Sequence, residues 1–292
     1  LDGGVNDDAR YFGTPLRNGQ LDARLRRSNY NVADSVVRYD DRMWRLKVDY
    51  QVNAALRLRN ETYHLSTDRH WRNAESYAFN AAGTQILRGD YLEILHDQQQ
   101  TGNRLDATLD GQLGGLKNRF IVGLDWYRSH LVQGSNAPYG GASSVDPFNF
   151  DPGLFTSPVP TRSTRDATLR TTAWFAENAL DLSRQWKLVA GLRSERMALA
   201  QVNLTNGASL GKQYQPLTGR LGAVWSPGSA LSLYGQWASG TDPLSGALSL
   251  PGGGDKFDLT RGRQVEVGAK GALPALRGEW TLALYQIKKR NL

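Results

Sequence analysis

The side chains able to carry chemistry in this sequence are few and scattered. There is no cysteine and there are four histidines, His64, His70, His96 and His130. Without thiols there is no disulfide framework and no thiolate metal site. No two histidines stand at the H-E-x-x-H spacing. No P-loop or helix-opening G-x-G-x-x-G is present. Asp7-Asp8 and Asp40-Asp41 are adjacent acids, which a strand would send to opposite faces. They read as solvated carboxylates. Neither catalytic residues nor metal ligands are expected. Another chemistry is better served: desolvated capture of an anionic ligand with apolar arms, which needs flat aromatic surfaces beside Arg forks. The stretch 66–85 offers Arg69, His70, Trp71, Arg72 and Tyr77. The stretch 133–165 offers Tyr139, Phe148, Phe150, Phe155 and Arg162. Trp237 adds one more ring.

Period-two alternation dominates the elements that must position these groups. Trp44, Leu46, Val48, Tyr50 and Val52 alternate with Arg45, Lys47, Asp49 and Gln51. Successive side chains of a strand leave opposite faces, so this segment has one oily and one charged side. Phe120–Trp126, Trp186–Leu192, Leu217–Trp225 and Val265–Ala269 repeat the pattern. The alternation predicts strands at 43–52, 54–65, 86–112, 118–132, 166–181, 186–200, 214–226, 230–239, 261–271 and 279–290. The length of 86–112 implies a strand projecting beyond a bilayer or one with a bulge.

The connections alternate in length. Short ones centre on Asn53, Gly114–Lys117, Ser183-Arg184, Pro227-Gly228 and Leu273-Pro274. Long ones are predicted at 66–85, 133–165, 201–213 and 240–260. Hairpins with turns on one rim and long loops on the other are the layout of outer-membrane barrels. Trp and Tyr cluster near strand ends, as in interfacial girdles. With 40% hydrophobic and 22% charged residues and a mean hydropathy of -0.50, helical spans are excluded, since no run reaches the roughly 18 apolar residues they require. The net charge of +7 is spread along the chain, mostly as Arg, apart from Arg24, Arg26 and Arg27 and the run Lys288–Arg290. Nucleic acid is not an expected partner. Arg57, Arg59, Arg193 and Arg220 fall on the charged faces and are expected to pair with acids such as Glu61 and Glu195.

Several stretches resemble the TonB-dependent siderophore receptors. Ala173–Asn178 followed by Leu188–Arg193 is similar to that family's strand, short turn and "aGlR" strand. Leu231–Ala238 is similar to its "lSlYasya" strand, and Gln264–Lys270 to its "E-x-G-x-K" strand. Tyr30–Asp34 and His70–Tyr77 also resemble segments of these barrels. The resemblance runs from about residue 28 to 292. It implies an all-β, antiparallel up-and-down transmembrane barrel in the outer membrane of a Gram-negative cell, contacting its lipid. About ten strands here would belong to a barrel of about 22 closing around an N-terminal plug. No plug-like segment, TonB box or terminal aromatic strand is seen, so residues 1–292 are expected to be a partial barrel domain. By the same resemblance the function is ferric siderophore uptake without bond chemistry, energised through the TonB-ExbB-ExbD system acting on the plug. The siderophore would be a transported ligand rather than a cofactor. Its expected contacts are Arg69, His70, Trp71, Tyr77, Tyr139, Phe148, Phe150 and Trp237. Two alternatives stand beside it. One is a complete small outer-membrane barrel enzyme of protease or lipase type. The other is a soluble all-β binding module, in which the oily faces would bury each other.

Overall fold

The computed structural model describes residues 2–7, 14–242, 244–249, 258–273 and 277–291. Asp8, Pro274 of one predicted turn and 243 and 250–257 of one predicted loop lie outside them. The described residues form one antiparallel sheet of 13 strands. They are β1 (Asp2–Asp7), β2 (Val36–Gln51), β3 (Leu56–Phe79), β4 (Ile86–Leu113), β5 (Leu116–Ser135), β6 (Ala142–Val145), β7 (Arg162–Asp181), β8 (Trp186–Asn203), β9 (Ser209–Tyr214), β10 (Leu217–Gly228), β11 (Leu231–Thr241), β12 (Arg261–Leu273) and β13 (Gly278–Arg290). Neighbours in sequence are neighbours in space along the main path; off it, β6 pairs with β4 and β9 forms a hairpin with β8. The sheet is not closed: β1 and β13 are its two edges. All ten predicted strands are present, and β1, β6 and β9 are additional.

The expected loop at 66–85 is not a loop. β3 runs on to Phe79 and pairs with β4 from Leu56↔Leu109 to Phe79↔Ile86. The connection is only 80–85, closed by Asn80, whose Oδ1 accepts from Thr84 N at 2.8 Å and Gln85 N at 3.2 Å. Much of 201–213 is likewise strand. Period-two patterning fades in these extensions because neither face meets hydrocarbon there. The ladder hydrogen bonds alone hold the register.

Cross-strand partners share a face, so the registers sort the side chains into two sets. One set is apolar: Trp44, Leu46, Val48, Leu105, Phe120, Val122, Trp126, Trp174, Leu192, Leu221, Trp237, Val265, Val267 and Leu282 lie on it, all exposed. A soluble module would have buried this band. From the Leu113↔Leu116 closing pair, Trp126 is ten residues up β5. At about 3.3 Å per residue and a tilt of about 40°, that rise is about 25 Å, the height of an outer-membrane apolar belt.

The opposite face is ionic. Arg57 pairs with Asp49, Arg193 with Asp125 at 3.0 Å and Glu195 at 2.8 Å, and Arg220 with Glu177. Glu61 is taken by Arg45 at 3.2 Å and Lys47 at 3.5 Å, so the expected role of these arginines holds while the partner of Glu61 differs. Arg220 reaches Glu177 across β8 over Gly191, which is the cross-strand partner of both. Tyr63, Phe175 and Tyr234 lie flat over the facing Gly102, Gly123 and Gly268, where a Cβ would collide with the rings.

Above the band, residues 14–35 and 136–161 pack together over β3 and β4. Tyr30, Val32, Ala74, Ile86, Tyr91 and Val145 are buried there, with Tyr77, Phe150 and Phe155 against them. Arg88, 5% exposed, ties the layer. Its guanidinium donates to Ser143 Oγ at 2.7 Å, the Tyr30 carbonyl at 3.2 Å and the Pro152 carbonyl at 2.7 Å.

Two outcomes are expected for the intact protein folded into lipid vesicles. Leu221→Lys puts a charge on the apolar face and costs about 2–4 kcal/mol near mid-bilayer. Gln236→Lys, at a similar depth on the ionic face, stays within about 0.5 kcal/mol of the parent; equal costs in denaturant unfolding would refute the assignment of faces. Arg88→Met strips three charge-assisted bonds, at about 1.5–3 kcal/mol for such contacts. Faster amide exchange within 136–161, with β7–β12 unaffected, is the expected result.

Candidate functional site

The long strands carry their ionic face well above the apolar band, and there the register builds one rank of side chains. Tyr39 on β2 faces Arg69 on β3, Arg69 faces His96 on β4, His96 faces Gln133 on β5, and Gln133 faces Arg165 on β7. Trp71, two residues beyond Arg69, belongs to the same face. The Arg69 guanidinium lies 4.3 Å from the Trp71 ring centroid and 5.4 Å from that of Tyr39. Such stacking holds a desolvated cation in place. Arg165 donates to Gln133 Oε1 at 3.0 Å and to the Ser249 carbonyl. Residues 244–249 form a single 3-10 turn over the far side of the rank. Its Leu248 is buried against Leu131, Ala167, Leu169 and Leu199.

His96 sits between the two arginines. Its Nε2 is buried and has no hydrogen-bond partner among the described residues. Burial, with Arg69 and Arg165 acting in the same direction, brings its pKa down to about 4, so the ring is neutral at neutral pH. The rank therefore presents two cations, a neutral imidazole, an amide and two rings on one surface. It has the makings of a site for an anionic, partly aromatic ligand, and no nucleophile is paired with a base in it.

The predicted contact residues divide. Arg69 and Trp71 are in the rank, on a strand rather than in the loop expected. Tyr139 lies within electrostatic reach of Arg165. Phe148 is exposed at the tip of 136–161, with the Arg24 guanidinium 4.6 Å from its centroid. Arg24 is bonded in turn to Asp22 at 2.6 Å, which holds the Asp22 carboxyl down to about 2. The Asp146 carboxylate accepts from Phe148 N and Asn149 N, both at 2.8 Å, and is held below the usual range by these bonds.

The other four lie elsewhere. His70 points to the other face of β3, bonded to Glu93 at 2.7 Å beside the Arg72–Asp34 pair. A cavity of about 740 Å³ opens there, bounded by Arg38, Asp40, Asp68, His70, Asp97 and Arg162 and reaching Arg69 and His96; its three acids offset its three arginines. Tyr77 is half-buried and donates to the Ala74 carbonyl at 2.6 Å. Phe150 packs on Tyr30 at 4.9 Å between centroids. Trp237 lies in the apolar band between Leu221 and Val265. It is not at a loop rim. Tyr39, Gln133, Arg165 and His96, which the rank brings together, are not among the contacts expected from the sequence. The signal for all four was the charged-side parity of β2 to β7, continued past the last apolar residue.

The model of the family described as "TonB dependent receptor-like, beta-barrel" matches residues 1–292. The chain is similar to the metal-pseudopaline receptor CntO of Pseudomonas aeruginosa, 23% identical over 250 residues, or 80% of this chain and 34% of that protein. It is similar in fold to the siderophore receptor PiuA from Acinetobacter baumannii, with a TM-score of 0.78 at 16% identity, covering 96% of this chain and 46% of that one. It is also similar to BauA, the ferric preacinetobactin receptor of the same organism, with a TM-score of 0.74 at 14% identity, covering 94% and 40%. The chain thus spans about a third of the curated relative and less than half of these structures. With a family match over its whole length and an apolar belt around its strands, the chain belongs to the TonB-dependent receptor β-barrels of the outer membrane.

Proposed function

We propose that this chain forms part of the barrel wall of a receptor that captures a ferric siderophore outside the cell and imports it with energy delivered through the TonB system. The observation that carries the reading is the rank Tyr39, Arg69, His96, Gln133 and Arg165, with Trp71 beside it. A ferric chelate is bulky, often anionic and often aromatic. Arg forks and indole faces recognise both properties, and the unpartnered His96 Nε2 offers a further polar contact. Tyr139 and the Arg24–Phe148 stack would extend the capture surface toward the rim. His70, Tyr77 and Phe150 hold the loop layer in place, and Trp237 contacts lipid. The matched relatives are receptors, and bond-making chemistry is not part of the proposal.

The test uses the intact receptor and a panel of ferric siderophores read by tryptophan fluorescence. Arg69→Ala and Trp71→Ala should each weaken binding of the recognised chelate by about tenfold or more, equivalent to at least about 1.4 kcal/mol. Both variants should impair growth on that chelate as sole iron source. Trp237→Ala should bind as the parent does. Unchanged affinity in both site variants would refute the assignment of the rank.

A further inference from the structure

On the apolar face, the row of side chains immediately above Trp126 changes character. Arg128 on β5 and Arg170 on β7 are direct cross-strand partners. Arg196 on β8 is opposite Thr172, one diagonal step from Arg170. All three are exposed, and none forms an ion pair among the described residues. Arg196 Nη2 donates only to Gln213 Oε1, at 3.5 Å. The acid further along β7, Asp166, is already held by His130 at 2.9 Å. Like charges directly opposite across a ladder repel. Three guanidinium groups left together on one face therefore carry a cost that a bound counter-anion relieves. A cavity of about 470 Å³ opens beside them, lined by Thr168, Arg170, Ala198, Ala200, Gly211 and Gln213.

Position identifies the anion. The cluster begins two residues above Trp126, where the apolar belt ends on the side of the long connections, at the depth of the outer-leaflet headgroups. Arg is also the side chain best shaped to fork onto a phosphate. We infer that Arg128, Arg170 and Arg196 form a docking surface for the phosphorylated headgroup of an outer-leaflet glycolipid, whose acyl chains lie on the Trp126–Trp174 band below. The surface is on the opposite side of the sheet from the Arg69 rank, so it binds whether or not that rank takes a siderophore.

The experiment follows thermal unfolding of the intact detergent-solubilised receptor as three probes are titrated: bisphosphorylated lipid A, the same lipid dephosphorylated, and inorganic phosphate. The bisphosphorylated lipid should bind about tenfold or more tighter than its dephosphorylated form, and inorganic phosphate should neither stabilise nor compete at millimolar levels. Combined Arg128→Gln, Arg170→Gln and Arg196→Gln should abolish the preference between the two lipids. Equal affinity for the two lipids in the parent protein would overturn the proposal, as would a preference that survives the triple substitution. Full competition by inorganic phosphate would overturn the lipid assignment. Should the triple variant fail to fold, the parent lipid comparison and the single Arg170→Gln variant decide the matter.

Discussion

Hydrocarbon offers no hydrogen bonds, so every backbone N–H and C=O within it must be satisfied by the protein itself. In this chain the antiparallel ladder does so from strand to strand, and most other features follow from it. The ladder fixes which residues are opposite one another, and its period of two assigns each side chain to lipid or to the ionic side. The oily band and the Arg–acid pairs are therefore two readings of one register. The same register, continued past the belt, lines Tyr39, Arg69, His96, Gln133 and Arg165 into a row that no local stretch of sequence contains.

Legibility followed the solvent. Where strands cross the belt, as in Trp44–Tyr50 or Phe120–Trp126, alternation is strong, and strand positions could be read to within a few residues. Above the belt neither face meets lipid, nothing forces alternation, and Ser66–Phe79 has the composition of a connection although all of it but Glu75 is paired with β4. Arg69 and Trp71 therefore stand on a strand and not in a loop, and residue type alone made them candidates for ligand contact. His70 and Trp237 stand on the face opposite Arg69, which their types could not reveal: aromatic or basic character says nothing about which side of a sheet a residue occupies. Tyr39 and Arg165 were invisible because they are 126 positions apart, and only the pairing of four intervening ladders brings them to one level.

The loop layer shows a different way of satisfying buried polar groups. Arg88 meets two carbonyls and a hydroxyl from the two segments of the layer. Asn31 Oδ1 accepts from both Val32 N and Ala74 N, and Asp34 Oδ1 accepts from Phe155 N. The Tyr30–Asp34 stretch, read in the sequence only as a family-like motif, is the strip on which 136–161 is laid. Polar side chains here replace the ladder, and they set the height of Tyr139 and Phe148 above the strands.

The rings of Tyr63, Phe175 and Tyr234, lying over bare glycine backbone, shape the inner wall as well as stabilising it. A ring stored flat adds bulk without relief, so beside these three glycines it is the Arg and acid side chains that stand out from the ionic face. At these positions the wall varies in charge more than in shape.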